Sequence, residues 1–148
     1  LKIIFLETEG VLMLPVCSMT ARLLQKPVVA FKPCVDALNL IVQETGAELV
    51  LTCESRKAHD SISQTVLADW GVNIVTFDRI PTIGKNKGTG ILKYMSMSGE
   101  PESFVIIDKT DDGYGKMLRQ YLIVADPEKG LTDEMARRAI GILKGEEK

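Results

Sequence analysis

The feature that most constrains this chain is a regular alternation of short apolar runs with stretches of helical periodicity. Five runs stand out, at residues 2–6 (KIIFL), 48–52 (ELVLT), 72–76 (VNIVT), 103–107 (SFVII) and 121–125 (YLIVA). Each is rich in β-branched or large apolar side chains and too short for an ordinary helix, as expected of strands buried on both faces. Between them, Val35, Leu38, Ile41 and Val42 form a helical stripe, with Pro33 near its start and Gly46 just past its end. Ile62, Val66, Leu67 and Trp70 form the next, closed by Gly71; Ile91, Leu92, Tyr94 and Met95 form a third, ended by Gly99. A short helical turn is expected around 116–120. The last helix starts after Thr132, a good N-cap, with Asp133 and Glu134 in its first turn and Met135, Ala139, Ile142 and Leu143 as its apolar face. This order predicts a single α/β domain over residues 1–148. Its sheet is doubly wound, Rossmann-like, five-stranded and mainly parallel, with helices on both faces and right-handed crossovers.

Composition narrows the class further. The 148 residues suffice for one buried core, and 45% hydrophobic with 26% charged residues is ordinary for a water-soluble domain. A net charge of −2 gives no global attraction to nucleic acid or to an anionic membrane, so nucleic-acid binding would rest on a local patch. No apolar run is long enough to span a bilayer, and no charged n-region with an apolar h-region opens the chain. The sequence begins at Leu1 rather than Met, so a residue or more is expected to precede it. Cys17, Cys34 and Cys53 are odd in number and form no CxxC, which argues for buried free thiols in a reducing, cytoplasmic compartment. His59 is the one histidine. It rules out a multi-histidine metal site, and its place in the first turn of an exposed helix reads as surface.

In open α/β sheets ligands bind beyond the carboxyl ends of the strands, near the point where strand order reverses. Three tips are polar here: Glu7-Thr8-Glu9-Gly10, Thr52 with Cys53-Glu54-Ser55-Arg56, and Asp108-Lys109-Thr110-Asp111-Asp112-Gly113. Polar loops cap strands in every protein. Yet Glu7, Glu9 and Asp108 directly follow apolar runs, where an unpaired carboxylate is costly. A hard cation such as Mg²⁺, or partial exposure to solvent, would relieve that cost. The glycine-rich segment 84–90 has the look of a phosphate cradle but lacks the GxxxxGK[ST] pattern, so it is not a P-loop.

These residues resemble the haloacid dehalogenase (HAD) superfamily of phosphotransferases, and within it the small HAD domains of RNA-repair proteins. The resemblance rests on Phe5-Leu6-Glu7-Thr8-Glu9-Gly10-Val11-Leu12, on 31–52, on Lys87-Gly88-Thr89-Gly90-Ile91, on Val105-Ile106-Ile107-Asp108 with Asp112, and on 124–143. It implies that Glu7 occupies the nucleophile position and Glu9 the acid/base position. It implies that Thr52 and Lys87 hold phosphoryl oxygens, and that Glu7, Asp108 and Asp112 bind Mg²⁺. Both carboxylates after the first strand are glutamates where the family has aspartates, Lys109 stands where a second acid is common, and Cys53-Glu54-Ser55-Arg56 departs from the family's second motif. An added methylene shifts a carboxylate by about 1 Å, enough to cost roughly 10²-fold in rate.

The resemblance therefore implies a phosphatase-like protein with impaired chemistry, weak Mg²⁺ binding and no other cofactor, taking a phosphorylated or macromolecular ligand. A working Mg²⁺-dependent phosphohydrolase with glutamate chemistry is the alternative. The segments 10–32 and 77–86 are too short for a cap domain, so an open site is expected. The apolar stretch 11–24 either packs on its own domain or forms a partner surface, and the latter would make the chain a homo-oligomeric interaction module.

Overall fold

The computed structural model describes residues 1–25, 29–52, 62–73, 77–80 and 86–146, with every side chain among them except those of Ser18 and Phe77. Five strands form one parallel sheet in the order β3-β2-β1-β4-β5. They are β1 (Lys2–Leu6), β2 (Glu48–Leu51), β3 (Phe77–Arg79), β4 (Ser103–Asp108) and β5 (Leu122–Val124). Among the described residues the helices are α1 (Val16–Leu23), α2 (Lys32–Thr45), α3 (Gln64–Asp69), α4 (Lys87–Ser98), α5 (Gly115–Leu118) and α6 (Asp133–Leu143). The chain starts at the sheet centre, winds outward through β2 and β3, then crosses back to β4 and β5. Strand order therefore reverses between β1 and β4, and all carboxyl ends lie on one edge.

Strand alternation sorts the apolar side chains into two cores. Ile4, Leu6, Leu49, Leu51, Val105 and Ile107 face one side, under α2 and α6. Ile3, Phe5, Val50 and Ile106 face the other, against Ile91 of α4 and Leu118 of α5. Phe5 anchors this second core by edge-to-face contacts with Tyr94 and Phe104. The capping residues act as the sequence suggests. Gly46 closes α2 in the left-handed region at φ 70°, and Thr132 Oγ1 accepts the Met135 N–H at the start of α6.

The third strand differs from the sequence expectation. It was expected at 72–76, but the strand that pairs with β2 is Phe77–Arg79, with Leu49 opposite Phe77. Val72 closes α3, its N–H donating to the Leu67 carbonyl, and Asn73 is tied to α2, its N–H donating to Asn39 Oδ1. The polar edge segment Asp78-Arg79 carries no apolar signature, so apolar runs alone do not mark it. Residues 74–76 lie outside the described residues. α3 is also shorter than its stripe, since Ser63 Oγ caps it by accepting the Val66 N–H and leaves Ile62 ahead of the helix. Tyr121 belongs to a 3₁₀ turn rather than to β5.

The apolar stretch after β1 contains a helix the periodicity did not predict. Val11, Leu12, Leu14 and Cys17 are buried in the first core and Ala21 is buried as well, whereas Val16, Met19, Leu23 and Leu24 stay exposed. Cys17 and Cys34 are free and buried. Cys53 and His59 lie outside the described residues. Among the described residues no helix is long and apolar enough to cross a membrane.

Candidate functional site

Parallel register builds the site one residue beyond the strand ends. Leu6 lies opposite Ile107, and the Glu7 N–H donates to the Ile107 carbonyl at 3.0 Å, so Glu7 and Asp108 follow as neighbours at the β1/β4 switch. Both fall on the Phe5/Ile106 side of the sheet by alternation. Thr52, which extends β2 by donating its N–H to the Leu6 carbonyl at 2.9 Å, falls on the same side. That side is covered by α4, whose first residue is Lys87.

The four side chains are buried: Glu7 is 1%, Asp108 0%, Thr52 6% and Lys87 7% exposed. Lys87 Nζ donates to Asp108 Oδ2 at 2.7 Å and to Glu7 Oε2 at 3.2 Å. Glu7 Oε1 accepts the Glu9 N–H at 3.3 Å, and Asp108 Oδ1 accepts the Lys109 N–H at 2.6 Å. Burial alone would lower the Lys87 pKa, but the hydrogen bond to Asp108 and the two carboxylate charges outweigh it and hold it above the ordinary 10.5. The Thr52 and Thr8 hydroxyls are buried without a hydrogen-bond partner.

A further member of the cluster escaped the sequence reading. The Tyr114 hydroxyl donates to Asp108 Oδ2, and the ring is buried in the second core. Burial first, then the neighbouring Asp108 charge, raises its pKa far above the ordinary 10.0. The signal available was local: Tyr114 lies between Gly113 and Gly115, both at positive φ, six residues after Asp108. An aromatic residue aimed inward by a tight turn next to a candidate carboxylate is a natural partner for it.

Other expected residues stand elsewhere. Glu9 is more than half exposed and pairs with Lys109 Nζ at 3.6 Å, on the rim of a cleft of about 580 Å³ lined also by Met13, Leu14 and Pro127. Lys109 thus directs its ammonium to the surface while its N–H holds Asp108. Asp112 is exposed on the turn after β4, its N–H donating to Thr110 Oγ1. Glu54, Ser55, Arg56 and Lys85 lie outside the described residues.

A doubly wound parallel sheet with acids at the tips of β1 and β4 and a lysine opening the helix before β4 defines a HAD-like domain. The model of one family, the HAD domain in Swiss Army Knife RNA repair proteins, matches residues 3–136, and the chain belongs to that family. No curated protein and no solved structure matches it significantly.

The HAD family generally uses Mg²⁺. The donor set here does not fit a divalent cation as it stands. Among the described residues no group of three or more histidine, cysteine, aspartate and glutamate side chains is arranged to hold a metal. The oxygens of Glu7 and Asp108 already accept from Lys87, Tyr114 and two backbone N–H groups.

Proposed function

We propose that this chain is a phosphatase-like HAD protein with impaired chemistry, which binds a phosphorylated ligand, in particular a nucleic-acid end, without efficient turnover. The observation that carries this reading is the engagement of Glu7. In-line attack needs a carboxylate oxygen about 3–3.5 Å from phosphorus and free to approach it. Glu7 carries one methylene more than the family's aspartate, and Lys87 and the Glu9 N–H each hold one of its oxygens, which fixes the carboxylate rather than leaving it to reorient toward phosphorus. Protonation of a leaving group fares no better. Glu9 faces solvent in its pair with Lys109, and Lys87 and Tyr114 hold their protons too firmly to give them up near neutral pH.

Binding is better supported. Lys87 is a buried cation, and the unsatisfied Thr52 hydroxyl on the same side of the sheet is a donor that a phosphoryl group would supply with an acceptor. The Glu7 and Asp108 carboxylates repel a phosphate dianion more than a monoanion, so binding should tighten as pH falls.

The test combines turnover with binding. Hydrolysis of p-nitrophenyl phosphate and of 5′- and 3′-phosphorylated oligonucleotides in Mg²⁺ should not exceed that of Glu7→Ala. Binding of the phosphorylated oligonucleotide should exceed that of its unphosphorylated twin, weaken in Thr52→Val, and be tighter at pH 6 than at pH 8. Robust turnover lost in Glu7→Ala and kept or raised in Glu7→Asp would establish the active phosphohydrolase instead. A second reading, an oligomeric interaction module, is favoured by the exposed apolar side chains of α1.

A further inference from the structure

We propose that Lys87 is the resident counter-ion of the Glu7–Asp108 pair, and that the ligand-free site consequently takes no divalent cation. The geometry places one ammonium between both carboxylates, donating to each, with all three groups buried. Asp108 Oδ2 accepts from Lys87 and Tyr114 together, which uses both its lone pairs. Asp108 Oδ1 is held by a short bond from the Lys109 N–H. A divalent ion would have to displace these donors.

Charge points the same way: a buried ammonium already within hydrogen-bond distance of both carboxylates repels an incoming dication. Mg²⁺ also demands a near-octahedral shell and releases its waters reluctantly. The described residues offer only Glu7 and Asp108 at this spot, because Asp112 is out on an exposed turn and Glu9 is turned to Lys109. Lys87 thus does here, by a fixed covalent tether, what a bound metal does elsewhere.

The inference does not depend on the proposed ligand or on impaired turnover, and its test uses no activity. Isothermal titration with Mg²⁺ and with Ca²⁺, and thermal melts in each ion against NaCl of equal ionic strength, would be run on the wild type, Asp108→Asn, Lys87→Ala, Lys87→Ala/Asp108→Asn and Tyr114→Phe. The wild type and Tyr114→Phe should show no Asp108-dependent binding and no ion-specific change in melting temperature. Lys87→Ala should melt lower, recover in millimolar divalent cation, and bind that ion roughly tenfold or more tightly than the wild type. The double variant should lose the recovery. Should Lys87→Ala be unfolded without metal, folding on addition of Mg²⁺ or Ca²⁺ is the expected result. Wild-type binding of Mg²⁺ that disappears in Asp108→Asn would overturn the proposal. So would a Lys87→Ala protein that neither gains affinity nor recovers stability with either ion.

Discussion

At the scale of single residues, the buried cluster is an exchange of costs. Glu7 and Asp108 would be expensive alone, and so would Lys87; together they are tolerable because each polar atom has a charged or dipolar partner. Tyr114 adds a neutral donor that disperses the remaining negative charge. A pH dependence follows. Lys87 and Tyr114 both have pKa values raised above their ordinary 10.5 and 10.0. For Lys87, the stabilisation is fully present below the unfolded value and lost as pH rises through the folded one. For Tyr114, the unfolded chain loses its proton first while the folded chain must keep it. In both cases the folded state binds more protons in the alkaline range, so stability falls as pH climbs past about 10. Thermal melts from neutral pH upward should be flat to about pH 9 and then drop, and Tyr114→Phe should make the drop shallower. An equal drop in that variant would remove Tyr114 from the account.

At the scale of elements, the critical joint is where α4 meets the turn after β4. Gly88 donates its N–H to the Gly113 carbonyl at 2.9 Å. A Cβ at Gly88 would lie 3.0 Å from the carbonyl oxygens of Gly113 and Tyr114 and 3.1 Å from Tyr114 Cα. All three are backbone atoms, so nothing there can swing aside. Gly88→Ala should push the first turn of α4 off the loop and carry Lys87 away from Asp108 and Tyr114. The expected loss is about 1–3 kcal/mol by denaturant unfolding, against a change within about 0.5 kcal/mol for the exposed neighbour Thr89→Ala. The glycine in Lys87-Gly88-Thr89-Gly90 therefore serves close packing of two site-bearing segments. The same logic separates α1 from the other helices. Its inner row, Cys17 and Ala21, is buried, but Val16, Met19 and Leu23 repeat at helical spacing on the outside.

At the scale of the whole molecule, the exposed row of α1 bears on assembly. Val16, Met19, Leu23 and Leu24 are 57–77% exposed, and the buried side chains of the same segment already complete the fold. If this row mediates self-association, light scattering over a wide concentration range should show mass rising with concentration. The Met19→Glu/Leu23→Glu variant should then stay monomeric with unchanged melting temperature. A wild type that is monomeric throughout would leave the row as plain surface. The cleft beside Glu9 and Lys109 lies on the other side of the same segment, through Leu14, Cys17 and Ala21, so association and access to the strand tips can be varied separately.

The sequence by itself determined the order of elements, the sheet class, most helix ends and the polar strand tips, because these follow from local signals. Apolar runs, caps such as Thr132, and Gly46 after α2 act within a few residues of themselves. Residue chemistry at Glu7, Thr52, Lys87 and Asp108 was legible in the same way, as charge or hydroxyl next to apolar runs and glycines. Only the tertiary structure decided how those groups meet. Lys87 reaches Glu7 across 80 residues of chain and Asp108 across 21, and no local pattern states that one ammonium serves both. Glu9 lies outward in a pair with Lys109, and a glycine-flanked turn brings Tyr114 in. The pairing of the polar segment Asp78-Arg79 with β2 was likewise decided by the fold, since no local apolar signal marks it as a strand.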